Sequence, residues 1–336
     1  MPMYSDDELE SAVQAGVMTP QVATAFRDYV AQKRATPTVD EEYFRLISGF
    51  NDIFVVIACL LLLVSITWIG DSVSLLFGAI LQTITAWGLA EYFTRQRRMA
   101  LPSIVLLLAF VGGVLATGMV LLERFDLSTD LIIGAPSAAA AIAAWLHWLR
   151  FKVPITVAAG TAALVASVVM ILFALIPETR QWVTPITFIA GIALFILAMK
   201  WDASDRSRQT RRSDVAFWLH LITAPLIVHP VFSALGVFDG QVGLSQASAV
   251  VMLYVVIAIV SISIDRRAMM VSALIYVLYA FDTLLEHYGI ISLGFAFTAF
   301  SLGSGLLLLS AFWHSCRKAL LQFYPHFIQQ RLPSLR

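Results

Sequence analysis

Residues 52–70 read DIFVVIACLLLLVSITWIG, an apolar run whose one charge stands at its first position. A helix of about 20 such residues crosses the roughly 30 Å hydrocarbon core of a bilayer. The whole chain shares this character, because 59% of its 336 residues are hydrophobic and 13% are charged, against about 25% charged in soluble domains. The composition therefore predicts an all-α, polytopic integral membrane protein and excludes a soluble globular one.

Further apolar runs of similar length continue almost to the end of the chain, and each of them is long enough to span a membrane as a helix. We predict a bundle of about ten transmembrane helices. They are placed near residues 52–70, 73–93, 102–122, 131–149, 153–175, 183–200, 214–235, 247–264, 269–288 and 291–312.

The direction of the spans is predicted from the cations, because Lys and Arg are retained on the cytoplasmic side of short loops. With ten spans, 20 of the 22 cations fall in the two terminal segments and in alternate loops, leaving only Arg124 and Arg180 for the other face. Both termini are therefore predicted to be cytoplasmic. Ten spans also divide into two halves of five, an inverted arrangement known from transporters, although the halves show no side-chain similarity.

Charge and motifs exclude several classes of function. Since 22 cations balance 22 acids, there is no basic excess to bind nucleic acid. Cys59 and Cys316 form neither a disulfide framework nor a metal-ligand spacing. No His-Glu-x-x-His motif, phosphate-cradling glycine loop or cofactor fingerprint occurs, so we predict no enzyme activity, no cofactor and no metal.

The chain before the first span is predicted to be a small cytoplasmic unit. Ser5 and Glu8 match a capping box and Gly16 a helix stop, and Thr19 with Pro20 starts a second helix. Residues 1–35 are thus a predicted helical hairpin, with a net charge of −2 that disfavours the alternative of a DNA-binding helix-turn-helix. Residues 36–50 are predicted to be a linker with a pre-membrane helix, 51–312 the transmembrane domain, and 313–336 a cytoplasmic interfacial tail.

This region resembles an uncharacterised family of predicted bacterial inner-membrane proteins. The likeness extends to about residue 70. It rests on Glu8-Leu9, Ala12-Val13, Ala15-Gly16, Thr19-Pro20-Gln21 and Asn51-Asp52-Ile53-Phe54-Val55. The resemblance implies a bacterial inner-membrane location and no mechanism.

The seventh predicted span holds two histidines and two prolines within a short stretch, His220, Pro225, His229 and Pro230. Each proline removes a backbone donor, so a helix break that aims free carbonyls at a ligand is predicted here. The alternative is a kinked helix whose histidines bond to its own carbonyls or to neighbouring helices.

The ninth span holds Asp282, the one acid placed well inside an apolar run. Ionisable groups at such depth are functional candidates by default. The hypothesis is that Asp282 pairs with His229 and that Tyr279 and Glu286 extend the polar track, as a proton or cation site. A structural hydrogen bond, or a ninth span short enough to leave Asp282 at the interface, is the alternative.

Small residues predict where helices pack closely, because they let backbones approach. They are Gly112, Gly113, Ala116 and Gly118 in the third span, residues 135–144 in the fourth, and Ser301, Gly303, Ser304 and Gly305 in the tenth.

Two functions remain open from the sequence. The first is a transporter-like or channel-like role for a small solute or ion, with a proton-linked mechanism as one form, built on the seventh span and Asp282. The second is a non-catalytic membrane scaffold or sensor whose amino-terminal hairpin docks a protein partner. The lipid bilayer is the one partner common to both.

Overall fold

The computed structural model describes residues 6–26, 50–205, 210–236, 244–267, 270, 273–274, 276–279, 294–325, 329 and 332. These residues form helices joined by short turns, with no strand among them. The helices are α1 (Asp6–Gln14), α2 (residues 20–26), α3 (Phe50–Asp71), α4 (Leu75–Ala90), α5 (Ala100–Leu122), α6 (Thr129–Phe151), α7 (Ile155–Leu175), α8 (Val183–Ser204), α9 (Arg211–Ala234), α10 (Leu244–Ile264), α11 (Gly294–Ala311) and α12 (Trp313–Leu321).

Six of the described helical segments are long and apolar enough to cross a membrane. They comprise α3, α5, α6, α7, α8 with the 3₁₀ turn Pro177–Trp182 before it, and α9. At 1.5 Å per residue, helices of 21 to 24 residues are about 32–36 Å long, which matches a bilayer core. The all-α membrane fold predicted from composition is confirmed to that extent, and the count of ten spans with two cytoplasmic termini stays a prediction.

The second predicted span is shorter than expected. Its α-helix, α4, ends at Ala90, and the chain continues as a π-helical turn over Glu91–Gln96. In the ninth predicted span, 269–288, only a few residues up to Tyr279 are described, and Asp282 and Glu286 lie outside the described residues.

Local sequence explains where the helices start and stop. Ser74, Ser128 and Thr210 each accept a hydrogen bond from a backbone N–H of the turn that follows, which is the usual role of an N-cap residue. Lys152 ends α6 in the left-handed conformation, with φ +56°, a conformation uncommon for residues other than glycine.

The amino-terminal unit, residues 1–43, is compact by itself. Within it α1 is followed by Gly16 at φ +70°, which confirms the predicted helix stop, and Thr19 Oγ1 accepts a hydrogen bond from the backbone N–H of Val22 at 3.3 Å. Leu9 and Ala23 are buried. Val22 and Phe26 of α2 are exposed, and the helical hairpin over residues 1–35 stays a prediction.

Residues 44–336 form the second unit, in which helices adjacent in the chain pack side by side from α3 to α7 and in the pair α8 and α9. Several glycines lie where two neighbouring helices approach closely. A Cβ on Gly118 would lie 2.7 Å from Pro136 Cβ, and one on Gly113 would collide with Thr83. The prediction of close packing at Gly113 and Gly118 is confirmed, whereas Gly112, Gly303 and Gly305 have no described atom within 4 Å of such a Cβ.

The closest approach of α8 to α9 gives a testable consequence. A Cβ on Gly191 would lie 3.0 Å from the carbonyl oxygen of Leu226, a backbone atom that cannot rotate away. We expect Gly191→Ala to lower the free energy of unfolding by about 1–3 kcal/mol, the usual cost of overpacking. Unfolding in mixed micelles with increasing dodecyl sulfate measures it.

Gly112→Ala is the matched control, since the Cβ meets open space and alanine favours a helix over glycine. The control should leave stability unchanged or slightly raised. Equal effects of the two substitutions would contradict the close α8–α9 contact.

Candidate functional site

The candidate site begins with His220, which α9 places two to three turns after its first residue, Arg211. Its side chain is completely buried. Its Nε2 lies 3.1 Å from Oδ2 of Asp202, which stands in the last turn of α8. The ring also packs edge-on against Phe195 of α8, with 5.5 Å between centroids. The α8–α9 contact thus fixes both members of a histidine–carboxylate pair.

Arg266 completes the group from a third part of the chain, two residues after α10 ends. Its Nη2 donates to Asp202 Oδ1 at 2.6 Å and its Nε to Oδ2 at 3.2 Å. Nη2 also donates to the carbonyl oxygen of Ser213 at 3.1 Å. We call Asp202, Ser213, His220 and Arg266 the Asp202 cluster.

Burial makes the cluster energetically important. Asp202 is 2% exposed and Arg266 is 1% exposed. Removing two charges from water costs several kcal/mol each, which is offset only when the pair is close and its remaining hydrogen bonds are satisfied. The two-point contact between guanidinium and carboxylate meets that condition.

The arrangement has a specific chemical capacity, since Asp202 Oδ2 faces both His220 Nε2 and Arg266 Nε. Histidine is the side chain whose charge changes near neutral pH. Protonation of His220 would therefore strengthen the attraction of the Asp202 carboxylate to α9 relative to its attraction to Arg266, in the segment after α10.

A second buried polar group lies next to the first in sequence. Trp313 Nε1, at the start of α12, donates to Asp265 Oδ1 at 2.8 Å, and Arg317 Nη1 lies 3.5 Å from Asp265 Oδ2. The Arg267 guanidinium sits 4.9 Å from the Trp313 ring centroid. The predicted interfacial tail thus begins with a helix that buries Trp313, Arg317 and Leu321 against protein.

The residues predicted as a site from sequence do not all come together. His220 joins Asp202 and Arg266, whereas His229 Nδ1 lies 3.2 Å from the hydroxyl of Tyr276. Tyr279 is described and exposed. The proposed partner of His229, Asp282, and its neighbour Glu286 lie outside the described residues, so the pairing of His229 with Asp282 stays a prediction.

The helix break predicted at Pro225 and Pro230 is not present, because α9 continues as one helix from Arg211 to Ala234 with both prolines inside it. Each proline removes a single helical hydrogen bond, and packing against neighbouring helices compensates for that loss. Pro230 has no N–H for the carbonyl of Leu226, four residues earlier, and that carbonyl faces Gly191 of α8.

Sequence reasoning missed Asp202 and Arg266 as site residues. The predicted sixth span ends at residue 200, which leaves Asp202 in a charged loop, whereas α8 continues to Ser204. The cation pattern places Arg266 in a predicted cytoplasmic loop. The sequence does offer one signal for Asp202, which is an acid at the end of an apolar run and is followed by several cations.

His147 is a further buried polar residue. It is completely buried beside Trp87, Phe110 and Phe151, and its Nδ1 lies 3.4 Å from Thr156 Oγ1. Its neighbour Trp145 is 61% exposed. His147 therefore belongs to the helix contacts of α4, α5 and α6.

Over the described ranges there is no group of three or more His, Cys, Asp and Glu side chains that could hold a metal ion. The chain matches no family model, no curated protein and no solved structure.

Proposed function

We propose that the protein is a multi-pass protein of a bacterial inner membrane, with both termini in the cytoplasm, that moves a small solute or ion in a proton-linked manner. The apolar helices and the sorting of 20 of 22 cations into the terminal segments and alternate predicted loops support the location and the orientation. The likeness of the first seventy or so residues to bacterial inner-membrane proteins supports the source.

The observation that carries the transport proposal is the Asp202 cluster. It places a fully buried histidine, aspartate and arginine where three chain segments meet. Ionisable groups inside membrane proteins are costly and mark proton relays and ion pathways.

The cluster supplies a two-state element of the kind that coupling needs. When His220 is neutral, Arg266 is the one cation that contacts Asp202 among the described residues. When His220 is protonated, two cations compete for the carboxylate. The attraction among α8, α9 and the segment after α10 differs between these two states of His220. Protonation therefore biases the packing of these helices.

His220→Gln tests the proposal, because glutamine keeps a hydrogen-bonding side chain and cannot take up a proton in this range. In proteoliposomes with an internal pH dye and an imposed potassium diffusion potential, we expect the natural protein to acidify the lumen faster than empty liposomes do. The rate of acidification with the variant should be at least tenfold lower, while its elution volume in size-exclusion chromatography and its thermal midpoint of unfolding stay the same.

His314→Gln is the matched control, since His314 is exposed on α12; it should retain the full rate. A His229→Gln arm separates the Asp202 cluster from the predicted His229–Asp282 site. Proton flux equal to that of empty liposomes, or a His220→Gln protein with full flux, would overturn the proposal.

A membrane scaffold or sensor is the second candidate, favoured by exposed apolar side chains on the hairpin, of which Val17 is 78% and Val22 is 53% exposed. On this proposal Val22→Cys, in a chain with Cys59 and Cys316 replaced, would be protected from maleimide in native membranes and reactive after purification. Reactivity in both states would contradict docking at this face.

A further inference from the structure

A cavity of about 400 Å³ opens at one end of the second unit, between chain segments that are distant in sequence. Its walls come from the turn before α5, the end of α6 with the start of α7, and the start of α9. These are three of the basic loops that the cation pattern assigns to one side of the membrane. The fold thus gathers their charges around one cavity of the size that ligand sites have.

The cavity is strongly cationic. Its lining includes Arg95, Arg98, Arg150, Lys152 and Arg211, with Asp214 as the acid among them. Glu91 accepts two hydrogen bonds from Arg150, of 2.8 and 3.1 Å, and one from Arg95 at 3.3 Å. Two acids against five cations leave three positive charges without a counter-charge in this group.

Backbone dipoles add to that potential. The cavity is lined by Met99 and Pro154, the residues that immediately precede α5 and α7, and neither helix has a side-chain cap at that end. The first N–H groups of a helix favour anions when no side chain accepts from them. Arg211, the first residue of α9, lines the same cavity.

A buried hydroxyl supplies an independent observation. Thr94 lines the cavity and is 8% exposed, and its Oγ1 has no hydrogen-bond partner in the part of the chain that the structure describes. A buried donor without a partner costs about 1–3 kcal/mol. A bound oxyanion would accept from it.

The backbone is held in an unusual conformation at two of the cations. Arg98 has φ +52° and Lys152 has φ +56°, values that non-glycine residues adopt rarely and that recur at ligand-binding sites. Both residues line the cavity.

We propose that this cavity binds a phosphate group, held by Arg98, Lys152 and Arg211 and by the backbone N–H groups of Ala100 and Leu101 in α5 and of Ile155 in α7. The three surplus charges suit a phosphate or a pair of phosphodiesters better than a single carboxylate. The remaining lining includes Ile104, Phe151 and Val153, which suits the apolar part of an anionic lipid, and basic pockets between membrane helices bind such head groups. A soluble phosphate compound offers the same phosphate chemistry.

The test uses Arg98→Gly combined with Lys152→Gly. Glycine adopts positive φ without strain, so this double variant removes two charges while making the backbone easier to fold. Native mass spectrometry of the full chain in detergent, titrated with cardiolipin, should show saturable binding that is about 30-fold weaker in the double variant, from roughly a fivefold loss per cation.

The control is Arg124→Gln combined with Lys200→Gln, which removes two exposed cations outside the cavity and should leave the affinity within twofold. Titration with pyrophosphate separates the two sources. Saturable cardiolipin binding without pyrophosphate binding assigns a lipid, and displacement of cardiolipin by pyrophosphate assigns a soluble phosphate compound. Cardiolipin binding no tighter than that of phosphatidylcholine, or equal losses in the double variant and the control, would overturn the proposal.

This test is independent of the transport proposal, because neither Arg98 nor Lys152 belongs to the Asp202 cluster. If the cavity does not bind phosphate, the proton-flux measurement on His220→Gln still tests the transport proposal.

Discussion

Asp202→Ala is expected to lower the free energy of unfolding by about 3–5 kcal/mol, one of the two largest effects that we predict for this chain. Asp202 is 2% exposed and accepts two hydrogen bonds from the Arg266 guanidinium. Its removal leaves Arg266 charged and buried without its hydrogen-bonded carboxylate, and that loss accounts for most of the cost. Unfolding in dodecyl sulfate and maltoside mixed micelles measures the change.

The double variant Asp202→Leu with Arg266→Met provides the sharper comparison. It removes both charges, so no buried ion is left unpaired, and it should cost less than Asp202→Ala alone. Asp126→Ala, at an exposed acid on a turn, should stay within about 0.5 kcal/mol of the natural protein. A loss for Asp202→Ala as small as that of the control would mean that the Asp202 cluster does not form.

Trp313→Ala is expected to cost about 3–5 kcal/mol, the usual range for truncating a buried aromatic side chain. Trp313 is 1% exposed, donates its indole N–H to Asp265, and lies under the Arg267 guanidinium. Its loss should release α12 from the bundle. Faster trypsin cleavage after Arg317 and Lys318, together with the change in unfolding free energy, measures this release.

Phe323→Ala is the control on the same tail, because Phe323 is 86% exposed and its truncation should change stability little. If the two substitutions behaved alike, α12 would be held by lipid and not by Asp265. That result would favour the interfacial tail predicted from composition.

Much of the helical architecture could be predicted from the sequence. The runs 102–122 and 153–175 appear as α5 (Ala100–Leu122) and α7 (Ile155–Leu175) with boundaries shifted by two residues at most. The reason is local, since an unbroken apolar segment in lipid must satisfy its own backbone hydrogen bonds and does so as a helix.

The candidate site could be predicted only in part. His220 was identified as a buried polar residue, but neither of its partners was. Asp202 and Arg266 lie 18 and 46 positions from His220 along the chain, and periodicity within one span carries no information about which side chain of another span lies beside it. The same limit applies to Gly112 and Gly113, which are adjacent and identical in type while only Gly113 meets a neighbouring helix.

Composition and the spacing of apolar runs determined by themselves that this chain is helical and apolar enough for a membrane, and they predict that its cations lie in the two terminal segments and in alternate loops. Those properties follow from short-range energetics, namely backbone hydrogen bonding and the transfer of side chains from water. Only the tertiary structure decided that Asp202, His220 and Arg266 meet and that three basic loops surround one cavity. Electrostatic contacts of this kind depend on distances of a few ångströms between distant segments, and helix packing sets those distances.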